Sequence, residues 1–168
     1  MEFNKVRTGI EKKFFTQCSE VVIENGYVLY DLEYISGSST LRLYIMDEKT
    51  KTAVIEDCVK VDRALTPVFE EEWVPDDIVL EVSSPGVYRS LKTLDHFELA
   101  LNENISVVIS GNLDEEILKD APRAVKNGKD FKGILKEVTE EYIILDINGF
   151  ELKLTVAQLK RASLEPAL

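Results

Sequence analysis

The sequence predicts an α+β chain of two small domains, in which elements in the order α-β-β-α-β precede a small antiparallel β-barrel. Two early stretches repeat apolar residues at steps of three or four, the period of a helix packed on a core. After residue 100, several short runs alternate apolar and polar residues between tight turns, as antiparallel strands do. The character of the sequence changes at residues 91–93, so the predicted domains are residues 1–91 and 92–168.

The first predicted element is an amphipathic helix that ends at Asn25-Gly26, because glycine accepts the left-handed conformation that terminates helices. Two alternating segments, Tyr27–Ile35 and Leu41–Met46, follow on either side of the small residues Ser36–Ser39. They predict a β-hairpin. The apolar stripe of the helix consists of Val6, Ile10, Phe14, Cys18 and Val21/Val22.

Helical spacing returns over Val54–Glu71 and predicts the second helix. Pro67 lies inside it and has no N–H to donate, which predicts a kink or an early end near Leu65–Thr66. After a break at Pro75–Asp77, the segment Ile78–Val82 is nearly all apolar and predicts a strand buried on both faces. The first domain is therefore expected to be helices layered on a mixed three-stranded sheet.

The second domain is expected to begin with a short helix, Thr93–Leu101, with Thr93 as its cap. Asn148-Gly149 lies between two alternating runs and predicts a type I′ hairpin turn, in which both residues have positive φ. A long charged loop, Gly111–Gly128, interrupts the strands, and loops of this length are usually functional or disordered. The predicted strands are Ile105–Ser110, Phe131–Val138, Tyr142–Ile147, Phe150–Val156 and a short one near Arg161–Leu164.

The chain is acidic, with 20 Lys+Arg against 31 Asp+Glu, a net charge of −11 and a pI near 4.6. This charge argues against a protein that coats RNA or DNA non-specifically and favours basic partners, such as ribosomal proteins or histone-like tails. One local stretch has the opposite charge, since it places five cations in fourteen residues against Asp130 alone. It predicts either a localised anion contact or a solvated loop and strand face. The five cations are Arg123, Lys126, Lys129, Lys132 and Lys136.

Residues for catalysis or cofactor binding are scarce. The single histidine, His96, lies beside Phe97 in the predicted short helix at the domain junction, which favours a non-catalytic role, and Cys18 and Cys58 stand alone on apolar helix faces. No glycine-rich phosphate loop is present, so no catalytic residue, metal or cofactor is expected. The sequence also has no apolar run long enough to cross a membrane and no signal-peptide pattern at its start. A cytoplasmic protein with no membrane partner is expected.

The most distinctive local sequence is Leu80–Leu91, in which Pro85-Gly86 fits a type II turn. Two interpretations are open from the residues alone. In the structural one, Ser83 and Ser84 satisfy backbone groups at a strand end and Arg89 pairs with a local carboxylate. In the functional one, a loop presents Arg89 to a carboxylate, a phosphate or a backbone carbonyl. The candidate binding residues of this turn are Ser83, Ser84, Gly86 and Arg89.

From about Val6 to Glu165, the chain resembles the bacterial ribosome maturation factor RimP family. The Leu80–Leu91 signature is the most specific part of this resemblance. The family usually has Gly-Leu-Asp-Arg-Pro-Leu where this chain has Gly86-Val87-Tyr88-Arg89-Ser90-Leu91, so the aspartate and the proline are lost at Tyr88 and Ser90. The Gly111–Gly128 loop is also longer than in a typical member. Other matching segments are Asn25-Gly26-Tyr27, Tyr34–Gly37, Leu41–Ile45, Glu56-Asp57-Cys58 and His96-Phe97.

The resemblance implies a second domain with an Sm-like or SH3-like barrel, and a non-enzymatic factor for maturation of the small (30S) ribosomal subunit. The implied partners are the immature subunit, a basic ribosomal protein near its decoding region and the adjacent rRNA. The alternative is an Sm-like RNA-binding module that acts outside ribosome assembly. Sm-type recognition usually involves rings of identical subunits, and a ring would multiply the charge of −11, so a monomer is expected. A hydrolase of another type is disfavoured by the single His96.

Overall fold

The computed structural model describes residues 1–166, which form a mixed α+β structure with five α-helices and two β-sheets. The chain divides into two compact units. The first unit is Val6–Gly86, and the second unit runs from Val87 onward and includes Met1–Lys5. These units differ from the predicted domain ranges, 1–91 and 92–168, at residues 1–5 and 87–91.

The N-terminal residues join the second unit through Phe3. Its ring lies 5.4 Å from that of Phe97, centroid to centroid, and its carbonyl oxygen accepts a 2.8 Å hydrogen bond from the N–H of Leu94. Phe3 is buried in the core of that unit. Sequence periodicity could not show this, because Phe3 lies outside any regular element.

The first unit confirms the predicted order α-β-β-α-β. Strands β1 (Val28–Ile35) and β2 (Thr40–Met46) pair antiparallel, and β2 and β3 (Val79–Ser83) pair parallel, which confirms the mixed three-stranded sheet. Gly26, with φ +87°, follows the first helix as expected. The helices are α1 (Gly9–Glu24) and α2 (Ile55–Phe69).

The core of the first unit forms between the two helices and one face of this sheet. Phe14, Cys18 and Val22 of α1 are fully buried, as the predicted stripe requires. From α2, the residues Val61 and Leu65 are fully buried as well. The sheet contributes Leu32, Leu41, Leu43 and Ile45.

Three predictions for the first unit are wrong. Val6 is 82% exposed and precedes α1, which begins at Gly9. The early end predicted for α2 near Leu65–Thr66 is wrong, because the helix continues through Pro67 to Phe69 with Leu65 and Val68 buried in its last turns; the alternative, a kink at Pro67, stays a prediction. Strand β3 is not buried on both faces, since it lies at the edge of the sheet and its alternate residues are exposed.

The second unit contains one six-stranded antiparallel sheet, in which the strands lie in the order β4 (Ser90–Leu91), β9 (Leu159–Leu164), β5 (Asn104–Ile109), β6 (Asp130–Val138), β7 (Tyr142–Ile147) and β8 (Phe150–Thr155). The Asn148-Gly149 turn has φ angles of 53° and 87°, so the predicted hairpin is confirmed. Within residues 1–166 no ladder joins β4 to β8, and the closed barrel is not confirmed.

Three helices complete the second unit. The predicted short helix is α3 (Leu94–Leu99), and the Thr93 hydroxyl accepts a hydrogen bond from the N–H of His96, as a cap should. The predicted loop Gly111–Gly128 contains α4 (Glu115–Asp120) and α5 (Arg123–Lys126). It is attached to the core by Leu113, Ala121 and Val125, which are all buried. Among residues 1–166, none of the helices combines the length and apolar character that crossing a bilayer requires.

Candidate functional site

The two serines of the Leu80–Leu91 signature lie where β3 ends. Ser83 is the last residue of the strand and pairs with Tyr44 of β2. The Ser84 hydroxyl accepts a 3.3 Å hydrogen bond from the N–H of Gly86 and lies 3.5 Å from the Thr52 hydroxyl. Gly86 has φ +85°, the positive value that the predicted type II turn requires. These contacts support the structural interpretation of the serines, and Ser83 also remains exposed.

Arg89 lies in a different environment from the serines. Only 6% of it is exposed, and it belongs to the second unit, where its carbonyl oxygen accepts a 2.9 Å hydrogen bond from the N–H of Leu164. The chain enters β4 directly after it, and pairing with β9 draws this segment into the fold. The signature therefore does not present Arg89 on its surface. Tyr88, which replaces the family's usual aspartate, is 56% exposed there.

The exposed serine lies at one end of a groove between α2 and the edge strand β3. This end is a depression of about 390 Å³ that is apolar along its helical side. Val54 (56% exposed) precedes α2, and Ile55 (80%) and Val59 (42%) lie in its first turns. The depression is lined by Ala53, Val54, Ile55, Cys58, Val59, Asp62, Val82, Ser83 and Ser84.

A second depression of about 700 Å³ adjoins the first at Asp62 and reaches the opposite end of α2. Its apolar floor comes from the start of β3, and its rim is acidic. Together the two depressions form what we call the α2–β3 groove, and among the described residues that line it there are five carboxylates and no Lys or Arg. The carboxylates are those of Asp62, Glu70, Glu71, Glu72 and Asp76.

The start of α2 is fixed beside this groove by Asp57. Its carboxylate accepts hydrogen bonds from the Tyr27 hydroxyl at 2.6 Å and from the N–H of Val54 at 2.9 Å. The hydrogen bond from Tyr27 lowers the pKa of Asp57, and the same bond raises the pKa of Tyr27 to about 12. The charged carboxylate also lies in the first turn of the helix, where it complements the helix dipole.

The basic stretch lies in the second unit. Arg123 and Lys126 belong to α5, Lys129 precedes β6, and all three are exposed. Among residues 1–166, none of them forms an ion pair. Lys132 on β6 differs, because its ammonium lies 2.7 Å from the Glu165 carboxylate, and this hydrogen bond raises the pKa of Lys132. Of the five cations in this stretch, Arg123, Lys126, Lys129 and Lys136 are exposed and form no ion pair within residues 1–166, whereas Lys132 is paired with Glu165.

His96, Cys18 and Cys58 lie in surroundings that favour structural roles over catalytic ones. His96 is buried, and its ring Nδ1 accepts a 3.2 Å hydrogen bond from the N–H of Lys92. Burial raises the pKa of Cys18 to about 12 and also raises that of Cys58, which disfavours the reactive thiolate. Among residues 1–166, no three His, Cys, Asp or Glu side chains are grouped to hold a metal ion.

Residues 17–88 match the family model of the RimP N-terminal domain. The matched range contains all of the residues that line the α2–β3 groove, together with Ser83, Ser84 and Gly86 of the signature.

Proposed function

We propose that the chain belongs to the RimP family of ribosome maturation factors, binds the immature small (30S) ribosomal subunit and assists its maturation without catalysing a reaction. The match of residues 17–88 to the RimP N-terminal domain carries this proposal. Action in the cytoplasm, near the decoding region of the subunit, belongs to the same proposal.

Electrostatic attraction to a basic ribosomal protein would bring the chain to its partner. With a net charge of −11, the chain attracts a cationic surface over roughly a Debye length, about 8–10 Å at physiological salt. Such steering raises the association rate more than the affinity. It also disfavours non-specific contact with rRNA, so the chain would reach RNA only where its local charge is positive.

The three available cations near α5 are the residues that would contact an rRNA phosphate. Arg123, Lys126 and Lys129 are exposed, whereas Lys132 is occupied by Glu165. Reversing Lys126 and Lys129 to glutamate should therefore weaken subunit binding. The matched control replaces Lys12 and Lys49 by glutamate. Both are exposed in the first unit, so the control changes the net charge by the same amount.

The role of a binding factor agrees with the surroundings of His96 and Cys18. His96 serves as a hydrogen-bond acceptor at the start of α3, and Cys18 serves as a core residue. We therefore propose that His96→Ala, in a variant that remains folded, retains subunit binding.

Sedimentation of the tagged chain in cell extract tests the proposed function. The chain should migrate with free small subunits and be absent from joined ribosomes, and its binding should fall steeply as salt is raised from about 50 to 300 mM. Absence from the small-subunit fractions would overturn the proposal. Binding that is undiminished at high salt would overturn electrostatic steering.

An Sm-like RNA-binding module that acts outside ribosome assembly is the second candidate. The exposed cations of α5 favour it, because a phosphate backbone would bind there. It predicts a ring of identical chains, whereas the assembly factor is proposed to be a monomer. The mass of the chain in solution, measured by light scattering, distinguishes the two.

A further inference from the structure

The α2–β3 groove has an apolar end and an acidic end. Helix α2 connects the parallel strands β2 and β3 and runs in the opposite direction to them. The start of the helix therefore lies beside the end of β3, and the end of the helix lies beside the start of β3. Val54, Ile55 and Val59 lie at the first of these ends and are 42–80% exposed. Isolated apolar side chains on a surface are ordinary, but three around one depression make that depression a candidate docking surface.

Strand β3 provides backbone groups along the same groove. Within the described chain it pairs only with β2, so alternate N–H and C=O groups on its other side have no strand to bond to. Its residues Val79, Glu81 and Ser83 are exposed. An extended peptide can add to such an edge as a further strand, with main-chain bonds giving affinity and pockets giving specificity.

The charge of the groove decides which peptide fits. Five carboxylates line it and no described cation does, so an RNA strand would be repelled from its acidic end. Lysine and arginine side chains would complement the acidic end. Their long apolar stems would also pack on Ile78 and Leu80, which form part of the floor.

We propose that the α2–β3 groove binds an extended segment of a basic protein, which adds as a strand to the free edge of β3. This inference rests on the proposed function for the source of the segment, a protein of the small subunit. Strand β3 spans five residues, about 17 Å at 3.3 Å per residue. The segment should therefore carry its apolar side chain about five residues away from its lysines or arginines.

A titration with a defined peptide tests the proposal without the ribosome. The probe is a fluorescein-labelled peptide of twelve residues that alternates valine with threonine in one half and lysine with threonine in the other. Binding is followed by fluorescence anisotropy, and amide shifts and hydrogen exchange are measured on the isotopically labelled full chain. The expected result is saturable binding, with shifts at α2 and β3 and slower exchange of the β3 amides that do not bond to β2.

Matched variants locate the binding. Glu70 and Glu72 are exposed and line the groove, so E70K/E72K should lower the affinity for the probe about tenfold. The control E140K/E141K makes the same charge change at exposed residues of the second unit and should bind as the parent does. Val59→Asp places a charge at the apolar end of the groove and should lower the affinity for the probe. A probe with glutamate in place of lysine should not bind.

Several results would overturn the proposal: no saturable binding, equal weakening by both charge variants, or amide shifts outside α2 and β3. Binding of a twelve-nucleotide RNA at the same amides would also overturn it in favour of a nucleic-acid site. The result of the peptide titration can be distinguished from the result of the sedimentation experiment. Peptide binding without subunit binding supports the groove and refutes the proposed function, and the reverse result refutes the groove alone.

Discussion

Replacing Phe14 by alanine should destabilise the first unit by about 3–5 kcal/mol. Phe14 is fully buried on α1, so the substitution removes a whole ring from the core. Its ring centroid lies 4.8 Å from that of Trp73, 5.5 Å from Tyr34 and 6.1 Å from Phe69. Each such aromatic pair contributes about 0.5–1.5 kcal/mol beyond the buried area, so the loss should lie toward the upper part of the range.

Phe14→Leu is a less disruptive substitution at the same site. It keeps an apolar side chain at the site and leaves a smaller cavity, so the expected loss is about 1–2 kcal/mol. This variant matters because the free energy of unfolding of a small domain is only about 5–15 kcal/mol in total. Phe14→Ala should remove a large part of it. If the alanine variant does not fold, the leucine variant still gives a measurable difference.

Trp73 makes the measurement specific to the first unit, because it is the one tryptophan of the sequence and lies in the Phe14 cluster. Urea unfolding at 25 °C, followed by Trp73 emission, gives the free energy of unfolding for each variant. Lys13→Ala serves as the control, since the Lys13 ammonium lies 4.3 Å from the Trp73 ring centroid and its loss should change the emission with little effect on stability. A loss below about 1 kcal/mol for Phe14→Ala would refute the reasoning from burial and ring contacts.

Three further predictions concern other parts of the chain. Gly133→Ala should cost about 1–3 kcal/mol in urea unfolding followed by circular dichroism, because its Cβ would lie 2.5 Å from the Asp146 carbonyl oxygen; an unchanged midpoint would contradict this. Arg89→Ala should lower stability by about 1–3 kcal/mol yet leave the subunit binding of the folded protein unchanged in sedimentation, because Arg89 is buried. Tyr27→Phe should destabilise by a constant amount between about pH 4 and pH 10. That difference should vanish as pH falls through the lowered pKa of Asp57 or rises through the Tyr27 pKa of about 12, and a pH-independent difference in urea unfolding would refute the role of their hydrogen bond.

The order of elements in the first unit could be predicted because its apolar residues follow the periods of helix and strand. The exposure of β3 could not, since an apolar run is compatible with either an edge strand or a central one. Ile78, Leu80 and Val82 are partly buried, and Val79 is 53% exposed at the edge. The position of a strand in its sheet is decided by pairing with distant residues, which local sequence does not contain.

The site was predictable only in part. The sequence singled out Ser83 and Ser84, which line the α2–β3 groove, but it also grouped Arg89 with them. The groove itself had a signal in α2, where Ile55 and Val59 follow helical spacing but lie off the stripe that the core buries. A helix with apolar residues on more than one face has a second surface to cover, and only the structure shows that the neighbouring sheet edge leaves that surface open.

The net charge of −11 becomes informative only when its residues are placed on surfaces. In the first unit, five carboxylates line a groove that no described cation lines, which is the charge that a basic peptide would complement. In the second unit, Glu165 neutralises Lys132, while Arg123, Lys126 and Lys129 remain available to an anion. A ribonucleoprotein presents both kinds of partner, basic protein segments and RNA phosphates. Two surfaces of opposite charge on separate compact units therefore fit such a target better than a uniformly acidic protein would.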